Sequence, residues 1–203
     1  MAADGFQSGA FQHTVKSPAL FAGVGVHTGA YTQVAVRAGD TDSGVVFVRT
    51  DVLDRDNRVP VSPEAVCKTQ LGTVITNGAG VTVATIEHLM AALVMTGIDN
   101  AVVELDGPEM PIMDGSAEPF VRLLDRAGKR PQAAARRFIE ILAPVEVVDG
   151  DKRAALKPTL GGFEVAFEIR FPTRVIGRQA IDLPMTEVAF RRELADCRTF
   201  GFL

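Results

Sequence analysis

Cysteine is scarce in this chain. Its 203 residues hold only Cys67 and Cys197, far apart and without other thiols, so neither a disulfide framework nor a cysteine-built zinc knuckle can form. That usage fits a reducing compartment. No stretch approaches the ~20 apolar residues that a membrane-spanning helix needs. Met1 to Gln12 lacks the cationic start and apolar core of a secretory leader. The chain therefore reads as cytoplasmic, with no integral membrane segment. Nor does one sign of charge dominate: 25 acidic and 21 basic residues are interspersed, for a net charge of −4. This excludes the broad basic face of a nucleic-acid binder. The nearest basic cluster, Ala133-Ala134-Ala135-Arg136-Arg137, reads as a solvated linker, and no obligate protein partner is evident.

What is present is enough for a core. A hydrophobic content of 47% over this length implies one large domain or two small ones. Tyr31 to Arg37 alternates around Val34 and Val36, and Gly44 to Arg49 carries Val45, Val46, Phe47 and Val48; both read as strands. From Ala84 to Gly97 the period changes. Ile86, Leu89, Met90, Leu93 and Val94 fall at helical spacing, with Thr85 as N-cap and Gly97 as the stop. A strand at Ala101 to Leu105 leads into the turn-rich Asp106 to Gly115. A second helix follows, capped by Ser116, with Phe120, Leu123, Leu124 and Ala127 on its apolar face and Gly128 at its end.

Beyond a joint at residues 129–137, strand patterns resume at Arg137 to Val148, Arg153 to Lys157 and Phe163 to Phe171. Thr186 then opens a third helix running through Val188, Ala189, Leu194 and Ala195. The element order predicts an α+β protein. It is divided as a tail (1–13), a first domain (14–130), a linker (131–137) and a second domain (138–203). If the two domains are cousins, the second is incomplete, and its uncovered apolar surface favours self-association.

Of the three histidines, His88 stands beside Glu87 in the first turn of a helix. Neighbours there point about 100° apart, so both can reach a cavity at the helix N-terminus. A neutral imidazole is a good zinc ligand, and a carboxylate beside it can take a proton from water. Position 92, where a His-Glu-x-x-His helix would place its second imidazole, is Ala92. Spacing alone equally allows Glu87 to be a first-turn carboxylate favoured by the helix dipole, with His88 a satisfied boundary residue. His27 lies in the glycine-rich Gly23-Val24-Gly25-Val26-His27-Thr28-Gly29, which leads into a strand rather than a helix. That excludes a Rossmann turn or a P-loop. It leaves open an exposed histidine beside a ligand or a plain hairpin connection. His13 reads as incidental.

Four phrases in order resemble one family. They are Gly23 to Gly29, Thr85-Ile86-Glu87-His88-Leu89, Gly97-Ile98-Asp99-Asn100-Ala101, and Pro111-Ile112-Met113-Asp114-Gly115-Ser116-Ala117 running on to Pro119 and Phe120. A fifth is Arg198-Thr199-Phe200-Gly201-Phe202. Together they resemble the bacterial UDP-3-O-acyl-N-acetylglucosamine deacetylases, zinc amidohydrolases of lipid A synthesis, over roughly residues 14–203. The resemblance implies two similar sheet-plus-helices domains around an interdomain active site. It implies His88 as a zinc ligand, Glu87 as general base, Thr199 at the developing oxyanion, and His27, Phe171 and Phe200 as substrate-binding residues.

The departures are as specific. The family's His-Lys-x-x-Asp motif, which holds the other two zinc ligands, is missing, and with it a later histidine that assists the leaving amine. Arg170-Phe171-Pro172-Thr173-Arg174 stands where the family more often has an acidic residue before the Phe and His-Pro after it. Gly72 occupies a position that can carry Cys near the metal. These departures predict a chain that is a fragment, with negligible activity of its own. The alternative is a catalytically dead nucleotide-sugar-binding protein.

Overall fold

The computed structural model describes residues 11–160 and 162–200. Most of the expected tail and the Gly201 and Phe202 part of the last phrase lie outside the described residues. The mixed architecture expected from element order holds: among the described residues three α-helices accompany several sheets. In chain order these are β1 (Phe11–Val15), β2 (Ala19–Val24), β3 (Tyr31–Ala38), β4 (Val45–Arg49), β5 (Arg58–Pro60), β6 (Val66–Lys68), β7 (Val74–Thr76) and β8 (Thr82–Ala84). There follow α1 (Glu87–Met95), β9 (Ala101–Leu105), α2 (Glu118–Ala127), β10 (Lys129–Ala135), β11 (Val145–Asp149), β12 (Lys152–Leu156), β13 (Glu164–Arg170), β14 (Arg178–Pro184) and α3 (Glu187–Glu193).

The main sheet has five strands in the order β2-β3-β9-β4-β5. In β3 the alternation works as read, because Thr32, Val34 and Val36 face the core while their neighbours do not. β4 and β9 run parallel at the centre, and Val45, Val46 and Phe47 are all buried. A parallel strand covered on both faces reads as a continuous apolar run. Beside this sheet, β6, β7 and β8 form a three-stranded antiparallel meander that delivers the chain to α1.

α1 buries a different stripe from the expected one. Ile86, Leu89 and Leu93 are buried as read, but Ala92 and Met95 join them, while Val94 is 46% exposed. The helix packs against α2 as well as the core, which turns residue 92 inward and residue 94 out. Its C-terminus is a Schellman motif. Gly97, at φ +76, donates to the Val94 carbonyl at 3.1 Å, and Ile98 donates to that of Leu93 at 2.9 Å. Thr85 is not the N-cap; the cap position is Ile86, without a side-chain bond. On α2 the cap position is Ala117, although the Ser116 hydroxyl still accepts from the Glu118 N–H at 3.3 Å.

The stretch read as a solvated linker is a strand. Lys129–Ala135 pairs antiparallel with Phe11–Val15, so alanine's weak strand propensity is overridden by tertiary pairing. Arg136 is not free in solvent either. It donates to Asp99 Oδ2 at 2.8 Å and to the Gly97 carbonyl at 3.1 Å. Next to it, Asn100 donates to Gln12 and Gln132, each at 2.8 Å, and accepts from the Gly44 N–H. The Gly97 to Ala101 phrase is thus a structural clamp.

Past residue 137 the expected strand Arg137 to Val148 is ordered as strand only at Val145–Asp149. β11 pairs with β12 and β13 with β14, each as an antiparallel hairpin. Thr186 opens α3 as read, and it caps the helix by accepting from the Ala189 N–H at 3.0 Å. Met185, Phe190 and Ala195 then insert into the main core, and Arg191 forks onto Asp125 of α2 with two bonds of 2.8 Å.

Candidate active site

The turn between β2 and β3 is closed by its own backbone. Gly25 donates to the Ala30 carbonyl at 2.9 Å, and Gly29, at φ +67, donates to that of Gly25 at 3.0 Å. This lifts His27 to face the β6–β7 connection, where its Nε2 lies 3.0 Å from the Leu71 carbonyl oxygen. A carbonyl can only accept, so Nε2 carries a proton in this contact. On the other side, Glu87 opens α1 and its Oε2 accepts the Thr73 N–H at 3.1 Å. Its carboxylate is therefore aimed back across the helix N-terminus rather than along the helix.

Gly72 explains how the two meet. A Cβ placed on it would stand 3.3 Å from Glu87 Oε1, 3.4 Å from His27 Nε2 and 3.8 Å from Thr85 Oγ1. One point is thus shared by a carboxylate, an imidazole and a hydroxyl, and the missing side chain keeps it open. Around it lies a cleft of about 320 Å³ lined by His27, Lys68, Gln70, Gly72 and Thr85 among others. Such a place suits a small polar reactant held beside a carboxylate base and an imidazole.

Thr199 lies against the loop between β9 and α2. The Thr199 N–H donates to the Gly115 carbonyl at 2.9 Å, and Gly115, at φ +86, faces the Thr199 methyl. Phe171 and Phe200 meet edge to face with ring centroids 5.3 Å apart, a favourable aromatic geometry. Asp114 is held below the usual carboxylate range by the Ser116 hydroxyl first, against partial desolvation, with the Ser116 N–H and the Arg198 charge adding to it. The same loop donates from Ile112 to the Val24 carbonyl at 3.0 Å, at the foot of the His27 turn.

Sequence reasoning missed one member of this region. Glu109 is fully buried and accepts four hydrogen bonds. They come from the N–H groups of His27 (3.0 Å) and Thr28 (2.8 Å) and the hydroxyls of Thr28 (2.7 Å) and Thr85 (3.0 Å). Desolvation pushes its carboxyl up, but these four donors outweigh it and hold the group below its ordinary 4.5. A lone glutamate in a turn-rich stretch has no periodicity to flag it. Its only signal was its place between Pro108 and Pro111, which fix the backbone on either side.

The chain matches the family profile described as UDP-3-O-acyl N-acetylglycosamine deacetylase over residues 12–203. It belongs to that family. Among its relatives, the UDP-3-O-acyl-N-acetylglucosamine deacetylase of Phenylobacterium zucineum (strain HLK1) is 79% identical over 193 residues, covering 95% of this chain and 66% of the relative. That of Shewanella sp. (strain W3-18-1) is 45% identical over 195 residues, covering 95% of this chain and 63% of the relative. The chain thus spans just under two thirds of the length of these family members.

Zinc, which the resemblance implies, needs three protein ligands in a hydrolytic site. Among the described residues no group of three or more His, Cys, Asp or Glu side chains is placed to hold a metal. His88 is half-buried and offers one imidazole. These residues do not make a zinc site by themselves.

Proposed function

We propose that this chain carries the base-bearing part of a zinc-dependent deacetylase. The reaction hydrolyses the acetamide of UDP-3-O-acyl-N-acetylglucosamine and releases acetate, the committed step of lipid A biosynthesis. The observation that carries this reading is the convergence of Glu87 Oε1, His27 Nε2 and Thr85 Oγ1 on the point left open by Gly72, in a chain of this family. Glu87 takes the proton of the water that attacks the acetamide carbonyl. The Thr199 hydroxyl donates to the oxyanion as it develops, an interaction made only in the transition state. His27 meets the nucleotide-sugar end of the substrate, and the Phe171–Phe200 pair packs beside the sugar. His88 would contribute one imidazole to zinc, and the metal, when bound, would supply Lewis acidity.

We also infer two domains, 14–130 and 138–203, with the site between them, in a cytoplasmic protein. Among the described residues no helix is long and apolar enough to cross a membrane.

The test is a chimaera in which residues 12–203 replace the matching part of the Phenylobacterium zucineum deacetylase. It should release acetate, and Glu87→Ala within it should lower turnover by about 10²-fold or more, the usual contribution of a positioned base. A folded chimaera that is inactive, or one indifferent to Glu87→Ala, would sink the proposal. If it binds UDP-N-acetylglucosamine in calorimetry yet never releases acetate, the chain is a nucleotide-sugar-binding protein instead.

A further inference from the structure

Glu109 takes no part in the chemistry assigned above, yet its side chain is fully buried and charged. An ionised carboxylate offers about four acceptor sites, and here four donors fill them. An unpaired carboxylate could not remain ionised in such a place, so the arrangement is self-enforcing. The donors come from the two walls of the cleft: His27 and Thr28 from the β2–β3 turn, and Thr85 from the residue pair just before Glu87.

Two further features are shaped around this carboxylate. A Cβ on Gly25 would run into Glu109 and would stand 2.9 Å from Thr28 Oγ1, so any side chain there would displace the group. Thr85 adopts φ +60, a strained conformation for a β-branched residue, and this directs its hydroxyl to Glu109 instead of to a helix cap. The segment carrying Glu109 is itself fixed to the end of β8. Ala84 donates to the Pro108 carbonyl at 2.9 Å and Met110 donates to that of Ala84 at 3.0 Å.

We propose that Glu109 is the positioning residue of the cleft, the buried anion that holds the His27 ring opposite the Glu87 carboxylate. Its importance to catalysis rests on the functional reading of His27 and Glu87; its control of the ring does not. Glu109→Gln keeps the size of the side chain, removes the charge and turns one acceptor into a donor facing Thr28 or Thr85. In the 203-residue chain, the ring proton signals of His27 should shift or broaden in this variant while those of His13 stay in place. A folded Glu109→Gln protein with unmoved His27 signals would overturn the proposal. Should that variant not fold, Thr28→Val, which removes one donor and leaves the carboxylate, is read by the same signals and judged in the same way.

Calorimetry with UDP-N-acetylglucosamine gives the second readout. Glu109→Gln and His27→Ala should each weaken binding about tenfold, the scale of one hydrogen bond involving a charged group. The double variant should be no weaker than either single one, because residues acting through one another are non-additive. Additive losses would show Glu109 acting independently of His27 and would overturn the proposal. Absence of binding by the unsubstituted chain would count against the functional reading, and the ring signals alone would then decide the case of Glu109.

Discussion

Residues 11–135 and residues 145–195 are built from the same kinds of element, hairpins and amphipathic helices, but their apolar side chains meet very different surroundings. In the first region five strands share one sheet, so Val36, Phe47, Val103 and Leu105 face a common core closed by α1 and α2. In the second, β11 and β12 are exposed along their whole length, and Val147 and Phe167 are 66% and 59% exposed. An isolated two-stranded hairpin is marginal in water, so the second region draws its order from docking on the first, through α3 and through Val165 and Met185. Strand pattern alone does not make a core; a covering layer does.

The sharpest way to break this comparison is to truncate one phenylalanine in each region. Phe47→Ala, at a fully buried position, is expected to cost about 3–5 kcal/mol. Phe167→Ala should stay within about 0.5 kcal/mol. Urea unfolding of both variants checks this, and equal losses would mean that the second region has a core of its own.

Glu109→Gln comes next, at about 1–3 kcal/mol for leaving buried donors unsatisfied. Its pH dependence has a definite sign. The folded carboxyl lies below its ordinary 4.5, so its stabilising effect is complete above that value and is lost as pH falls through the folded value. The gap in thermal midpoint between the unsubstituted chain and the variant should therefore be widest near neutrality and close in acid. A gap that widens on acidification would contradict the assignment.

A smaller loss than that of Glu109→Gln is expected from Arg191→Ala, about 0.5–1 kcal/mol, because its partners are partly solvated. Its value lies in where the effect falls. Amide exchange should quicken in α3 and in β13–β14 while β3, β4 and β9 keep their protection. Uniform quickening would show the two regions to be one cooperative unit.

How much was legible in the sequence follows the same division. Ala101–Leu105 was read to the residue, β3 and β4 within one, and the start of α3 at Thr186 correctly, because each has a local signature that the core or the backbone then honours. The three-residue strands β5 to β8 are too short for any period to register. β10 was hidden by its alanines, since only the partner strand β1, more than a hundred residues earlier, makes it a strand. At the site, Glu87 and His27 stood out by motif, but their approach to one another depends on Gly72, a residue that acts by lacking a side chain. Thr85 was misread as a cap because its unusual φ cannot be seen in a residue list. Glu109 was invisible because its partners lie 24 to 82 positions away.

The pairing of β1 with β10 has a last consequence. Phe11 sits opposite Ala135 and Val15 opposite Lys129, so the chain enters and leaves the first region at the same edge. The region is a closed circuit with both leads on one side. A short turn joining residue 135 to residue 11, with new ends cut at the exposed Leu53, would rewire it without unpairing a strand of the main sheet. Whatever is attached to either lead emerges beside whatever is attached to the other.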